Sequence, residues 1–299
     1  MTEHYVAGGI KLKIINTVFK LYFCMSEREF NFEQKNPFTK SNRPEERLKD
    51  YILREKRPIG YRSIISDETR VIAFGEHHIH EGAKREIIRA LETLREKGVT
   101  HLALEMFGRD FQKELDRYIA GGSNKRSIYE NLKNCWGYPD RITDLYMDII
   151  DNTKNSGLQL IALDIPQKTR ESFTESDQIE INVLRDQKMA ESIKMVLDES
   201  PNNKIVTISG LDHVSNIYES NSMAMLLKKA GIKTTTFGLV GDIYHDERDI
   251  QVQTRQAGIE NERFMLPYQI KFPEVNNNYY PEYHTPPVDW IIYLGDEKE

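Results

Sequence analysis

The sequence predicts an α/β fold: a mostly parallel sheet flanked by helices, with an inserted helical cap. Three observations predict it. Four apolar runs, VIAFGEHHIH, THLALEMF, LQLIALDIP and KIVTISGLDH, each open with the β-branched and aliphatic residues of a buried strand. The first two are joined by one helix-patterned segment within about 35 residues, the span of a βαβ unit with parallel strands and a right-handed crossover. Residues 108–156 then carry helical periodicity with little strand character, which makes them an insertion after the second strand.

Residues 1–60 read as an N-terminal arm and entry segment, and 61–299 as a single domain with its cap at about 108–156. Near the start, IKLKIINTVFKLYFC is interrupted by Lys11, Lys13 and Lys20. A secretory core needs roughly 7–15 uninterrupted apolar residues, and a membrane span roughly 18 or more. A cytoplasmic protein without stable membrane insertion is therefore expected. Residues 25–60 are polar and broken by Pro37, Pro44 and Pro58, with a helix-like RPEERLKDYILREK between them.

The first strand ends at Glu76. In EGAKREIIRALETLREKG, residues Ile87, Ile88, Ala90, Leu91 and Leu94 recur at helical spacing, and Gly98 stands in the C-cap position. HLALEM is the second strand. In the cap, FQKELDRYIAGG, NKRSIYENLKN and DRITDLYMDIIDNTKNSG read as three helices. Alternation resumes with strand LQLIALDI, the long helix SDQIEINVLRDQKMAESIKMVLDES, strand KIVTISG, a helix around SNIYESNSMAMLLKKAG, and strand KTTTFGLV. A tail rich in tyrosine, asparagine and proline leads to a last short strand, WIIYLG.

With 299 residues, 39% of them hydrophobic, the chain can bury a core without disulfides. Cys24 and Cys135 are too few for a disulfide framework or a zinc knuckle, which points to a reducing compartment. A net charge of −6 gives no electrostatic reason to bind nucleic acid, so a small molecule or a peptide is the expected partner.

The chemistry sits where the apolar runs stop. Glu76, His77, His78, Glu105, Asp164, Asp212 and His213 all follow strands, and in a parallel sheet those ends share the edge where ligands bind. In GEHHIH, Gly75 is read as the residue that lets the backbone turn tightly at the strand end. The carboxylate and imidazoles beyond it suit acid–base work or metal ligation, and His78-x-His80 has the spacing of a two-histidine ligand. HEGAK is not the HExxH of zinc proteases, because Lys84 replaces the second histidine. Glu105 lies in an apolar strand, where a carboxylate needs a partner, a metal or water. A structural ion pair with Arg185 or Lys84 is the competing reading. GLDH repeats the glycine-x-x-histidine spacing of GEHH after another strand. Arg185 and Asp186, on the long helix, could bridge to the same place. An amidohydrolase-like barrel would need eight βα units, more than the strands present.

With these residues the chain resembles the haem-binding uptake and Tiki superfamily, in particular its ChaN-like members, grouped with TraB-like proteins and erythromycin esterases. The resemblance is carried by Gly75-Glu76-x-His78, LALEMF with Glu105, Trp136 and Tyr138 in the cap, and ALDIPQ. It continues through Arg185-Asp186-x-x-Met189-Ala190 and Gly210-x-x-His213, and spans roughly residues 68–245. The family's ALN-P-R pattern appears here as Ala162-Leu163-Asp164-Ile165-Pro166-Gln167, without its arginine.

The resemblance implies an active site at the strand C-termini beneath a helical cap. It also implies an activity drawn from metal-dependent proteolysis, histidine-based ester hydrolysis or haem binding. The leading expectation is a hydrolase of a peptide, ester or lactone bond built on Glu76, His78, Glu105 and His213. Trp136, Tyr138, Asp164, Arg185 and Asp186 would contact substrate or cofactor. In a metal form, His78, Glu105 and His213 would hold manganese, cobalt or zinc. The alternative is a protein that binds haem or another small ligand without catalysis.

Overall fold

A computed structural model describes residues 50, 52–174, 177–215, 221–240, 258, 262–267 and 288–294. The N-terminal arm up to residue 49 and most of the tyrosine-rich tail lie outside these residues. The strands are β1 (Val71–Glu76), β2 (His101–Gly108), β3 (Gln159–Asp164), β4 (Ile205–Gly210), β5 (Thr234–Val240), β6 (Phe264–Pro267) and β7 (Trp290–Tyr293). They form one sheet in the order β3-β2-β4-β1-β5-β7-β6. All neighbours pair in parallel except β6, which runs antiparallel to β7. The expected α/β class with a mostly parallel sheet is what the chain adopts.

The helices are α1 (Tyr61–Ile64), α2 (Glu81–Glu96), α3 (Gln112–Ile119), α4 (Lys125–Trp136) and α5 (Asp140–Asn155). They continue with α6 (Gln167–Glu171), α7 (Gln178–Glu199), α8 (Leu211–Val214) and α9 (Met223–Lys229). Strand alternation assigns them to two layers. Ile72, Phe74, Leu102, Leu104, Val206, Ile208 and Phe237 face the layer of α2 and α5, with Ile87, Leu91, Tyr146 and Ile150 in the same core. Val71, Ala73, Ala103, Ile161 and Ile205 face α7 and α9, against Met189, Ile193, Met223 and Leu227. Both faces of the inner strands are thus covered, which is why their sequences are apolar without interruption.

Residues 108–156 divide in two. A 3₁₀ turn (Arg109–Phe111), α3 and α4 follow β2, whereas α5 packs along α2 and buries Ile142, Tyr146, Ile149 and Ile150. A parallel β2–β3 connection needs such a crossover element on the sheet face, and α5 supplies it.

Two details shape the sheet edge. The β2–β3 register shifts between Leu104 and Gly108, so Leu104 opposes Ala162 while Gly108 opposes Asp164. This irregularity falls on Glu105, and such bulges re-aim side chains. Gly75 lies inside β1 and makes no turn, contrary to the sequence reading. A Cβ there would come within 3.0 Å of Leu211 Cα and 3.1 Å of Val214 Cβ, so glycine is what lets α8 lie close on the strand. Among the described residues, no helix is long and apolar enough to cross a membrane.

Candidate active site

The C-terminal ends of β3, β2, β4 and β1 lie side by side, and each delivers ionisable groups. Glu76 ends β1 and turns to the α2–α5 layer. Lys84 of α2, itself fully buried, donates to Glu76 Oε2, and the Tyr146 hydroxyl of α5 donates to Oε1 at 2.5 Å. Lys84 also donates to the carbonyls of His77 and His78, at 2.9 and 2.7 Å, which pins the loop that carries His78. Glu105 belongs to the other side. Its Oε1 accepts from Arg185 Nη2 of α7, and its Oε2 accepts from the backbone N–H of Gly210 at 2.5 Å.

The two histidines bridge these acids. His78 places Nδ1 3.2 Å from Glu76 Oε1 and Nε2 3.7 Å from Glu105 Oε1. His213, on α8, places Nε2 3.3 Å from the same Glu105 oxygen and Nδ1 2.9 Å from Asp186 Oδ1. The result is a continuous chain, Glu76–His78–Glu105–His213–Asp186. Asp186 also accepts from the Met223 N–H at 2.7 Å, which fastens α9 to the same group. Asp164 completes the cluster: Arg185 reaches it through Nε, at 2.9 Å to Oδ1, and through Nη2, at 2.9 Å to Oδ2. Arg185 therefore clamps two carboxylates with one planar guanidinium, a geometry a lysine could not supply.

Burial alone would raise the Glu76 carboxyl, but Lys84 and His78 outweigh it and hold the group below its ordinary range. Burial likewise opposes ionisation of Glu105, yet His213, Arg185 and His78 together hold it well below that range. Burial would lower both histidines, and their carboxylate partners reverse the sign. Glu105 and Glu76 lift His78 to about 9, and Glu105 and Asp186 lift His213 to about 10. Four carboxylates thus face four cations, Lys84, Arg185 and two imidazoliums. A buried network of this kind is tolerated because each charge has a partner.

One side of the group is open. The His78 side chain keeps 23% of its surface exposed, whereas that of His213 keeps 7%. An aromatic wall stands beside His78: Trp136 meets it edge-on at 5.2 Å between ring centres, Tyr138 stacks on Trp136 at 5.7 Å, and Tyr146 stacks on Tyr138 at 5.4 Å. Gly137, at φ +64°, ends α4 in the left-handed conformation and turns the chain between Trp136 and Tyr138. The Trp136 indole donates to the Met106 carbonyl at 2.8 Å, which ties the wall to β2. Three residues after Gln167, the Arg170 guanidinium lies 4.5 Å from the Trp136 ring centre and 3.8 Å from Asp164.

Glu76, His78, Glu105, Asp164, Arg185, Asp186 and His213 therefore converge, with Trp136 and Tyr138 beside them. His80 does not join them. Its ring caps α2, with Nδ1 accepting from the Ala83 N–H at 3.1 Å, so the His78-x-His80 ligand pair is corrected to one site histidine and one helix cap. Asp212 is exposed. Tyr146 escaped notice because it shares the apolar stripe of α5. Lys84 carried a readable signal, a lysine three and seven residues before Ile87 and Leu91 on a buried helix face.

Among the described residues, no group of three or more histidine, cysteine, aspartate or glutamate side chains is arranged to hold a metal ion. The donor set His78–Glu105–His213 does not fit one for a stated reason. Arg185 already occupies the Glu105 oxygen that both imidazoles face.

Residues 66–179 match the family described as haem-binding uptake, Tiki superfamily, ChaN, in line with the resemblance read from the sequence. The matched segment contains Glu76, His78, Glu105, Trp136, Tyr138 and Asp164. Among solved structures, a Bacillus cereus protein aligns at 13% identity over 84% of this chain and 97% of its own, with a TM-score of 0.53. An erythromycin esterase mutant aligns at 10% identity over 79% and 94%, TM-score 0.51. Campylobacter jejuni ChaN, described with cofacial haem, aligns at 14% identity over 78% and 91%, TM-score 0.47. The first two likenesses establish a shared fold. No curated relative matches the chain in sequence.

Proposed function

We propose that the protein is a hydrolase of ester or amide bonds in a small molecule or peptide, acting in the cytoplasm, with His78 as the group that activates water. The observation that carries this reading is the imidazole of His78, held at Nδ1 by Glu76, with 23% of its side chain exposed and its Nε2 3.7 Å from Glu105 Oε1, beyond hydrogen-bonding distance. Glu76 fixes the tautomer by accepting from Nδ1–H, so Nε2 is left to take a proton from water. The oxygen of that water adds to the substrate carbonyl carbon, and the electrons of the C=O bond move onto its oxygen. Collapse breaks the bond to the leaving group, which takes the proton back from His78 Nε2. His213 has a different part. Buried between Glu105 and Asp186, it is a fixed cation that balances the acids and holds the Glu105 carboxylate in place. The neighbour described as an erythromycin esterase is consistent with ester chemistry on this fold.

The test is turnover of p-nitrophenyl esters as a function of pH. With its folded pKa lifted to about 9, His78 is mostly protonated at pH 7, so kcat should rise with pH and level off above about 9. A rate that is flat from pH 6 to 10, or a His78→Gln variant with full turnover, would sink the assignment.

Haem binding is the second reading, favoured by the matched family's description and by the flat Trp136–Tyr138–Tyr146 wall. His78 suits it poorly, because an axial ligand needs a neutral nitrogen and both of its nitrogens face carboxylates. Burial pushes the adjacent His77 down, towards the neutral form a haem iron would take. Titration with haem distinguishes the readings: an intense shifted absorption band at one haem per chain or per pair supports binding.

A further inference from the structure

Glu76 Oε1 serves two donors at once. The Tyr146 hydroxyl donates to it at 2.5 Å, and His78 Nδ1 stands 3.2 Å from the same atom. A carboxylate oxygen has room for both. The other oxygen, Oε2, is taken by Lys84, whose remaining N–H groups go to the carbonyls of His77 and His78. All three ammonium protons are therefore committed, and among the described residues Oε1 is left to Tyr146 and His78. The distances rank these two. An O–H donated to a carboxylate is strong at about 2.5–2.7 Å, and a charged N–H at about 2.7–2.9 Å. Tyr146 lies inside its range and His78 outside its own, so the phenol has the firmer hold. Packing fixes the phenol in turn. Tyr146 is fully buried, its ring stacks on Tyr138 at 5.4 Å, and Lys84 Nζ lies 4.9 Å from its centre. A phenylalanine would make the same ring contacts. Burial and the Glu76 charge hold the phenol well above its ordinary range, so it remains a donor.

We propose that Tyr146 is a positioning residue for His78: by holding Glu76 Oε1, its hydroxyl keeps that oxygen from closing on Nδ1 and so sets how strong a base the imidazole is. It acts through Glu76, without touching substrate. Its effect on rate rests on the hydrolytic reading; its effect on His78 rests on the hydrogen bonds alone. A carboxylate that loses one donor binds the remaining one more tightly, and a tighter bond to the charged imidazole makes it harder to deprotonate. The hydroxyl thus moderates the ion pair and favours the neutral imidazole the reaction needs. The other titratable groups around the pair are Lys84 and Glu81 on α2, Glu105 on β2, Arg185 on α7 and His213 on α8, with His77 and Tyr138 alongside. Removing one hydroxyl alters none of them chemically.

The experiment compares the full chain with Tyr146→Phe and with Tyr146→3-fluorotyrosine, a more acidic phenol of nearly the same shape. The first readout needs no substrate: the proton resonance of His78 Nδ1–H, identified by its loss in His78→Gln. Tyr146→Phe should move it downfield, the mark of a shorter bond to Glu76, and Tyr146→3-fluorotyrosine should move it upfield. If the phenylalanine variant does not fold, the fluorinated one decides alone. No displacement, or the reverse direction, overturns the proposal even in a protein that turns over esters. The second readout is the pH profile of p-nitrophenyl acetate turnover, which should level off near pH 9 in wild type. In Tyr146→Phe that point should move up by about half a unit or more, and turnover at pH 7 should fall about threefold or more, with the plateau retained. A rate lowered equally at every pH, with the levelling point in place, is what a merely structural hydroxyl would give, and it also overturns the proposal. A displaced resonance in a protein that turns over no ester upholds the role of Tyr146 and rejects hydrolysis.

Discussion

Replacing His213 by alanine removes the middle of a buried charge network, and its magnitude can be worked from the structure. The folded pKa of His213 is raised from 6.5 to about 10. A group raised on folding contributes stability that is fully present below the unfolded value and is lost as pH rises through the folded one. At 1.36 kcal/mol per unit, the contribution at pH 6 is on the order of 4–5 kcal/mol. Removing one partner of a buried ion pair gives a similar figure, about 3–5 kcal/mol, because Glu105 and Asp186 are left under-compensated. The assay is urea unfolding of wild type and His213→Ala between pH 6 and 10.5. The difference between them should be largest near pH 6, decline from there, and shrink to the small packing loss by pH 10.5. Other groups that titrate over this range are present in both proteins and cancel to first order. A difference that stays constant with pH, or lies below about 1 kcal/mol at pH 6, refutes the charged, buried imidazolium.

Further outcomes follow from the same geometry. His78→Gln should lower turnover by about 10²–10⁴ and abolish the alkaline rise in rate, while the melting midpoint moves less than for His213→Ala because His78 is the more exposed. Leu104→Ala, in the fully buried middle of β2, should cost about 2–5 kcal/mol in chemical denaturation, with the site chemistry intact in the folded fraction. Lys84→Met should strip Glu76 of its cation, raise that carboxyl and, with the repulsion of a neighbouring cation gone, raise the pH at which turnover levels off; an unmoved profile argues against the Glu76–His78 coupling. Chelation should leave turnover unchanged, and loss of activity restored by manganese, cobalt or zinc would overturn the reading of the donor set.

Much of this arrangement was legible in the sequence, for physical reasons. A strand buried on both faces must be apolar throughout, so VIAF, HLAL, LIAL and IVTI announced the inner strands, and acids at their ends announced the edge. Glu105 was visible because a carboxylate inside such a run requires a partner, and Arg185 was among those named. What the sequence concealed depends on side-chain direction. His80 looked like a ligand, but the start of α2 turns its ring onto the Ala83 N–H. Tyr146 looked like core because it is core; only its hydroxyl reaches Glu76. Strand β6 is four residues long and ends at Pro267, too short and too interrupted to carry a pattern. Arg170 stands three residues beyond the position where an arginine was sought, and only the helical α6 brings it to 3.8 Å from Asp164.

The site also straddles the sheet. Glu76 is held by the α2–α5 layer, Glu105 by α7, and His78 touches both across the edge. A folding intermediate with one layer docked would carry half of this network, several charges stripped of water and lacking counterparts. Such a species is penalised more heavily than one with an apolar seam in the same place. The ionic chain therefore acts as a checkpoint on assembly: docking of the two layers becomes a single cooperative event, and the groups arranged for chemistry exist together or not at all.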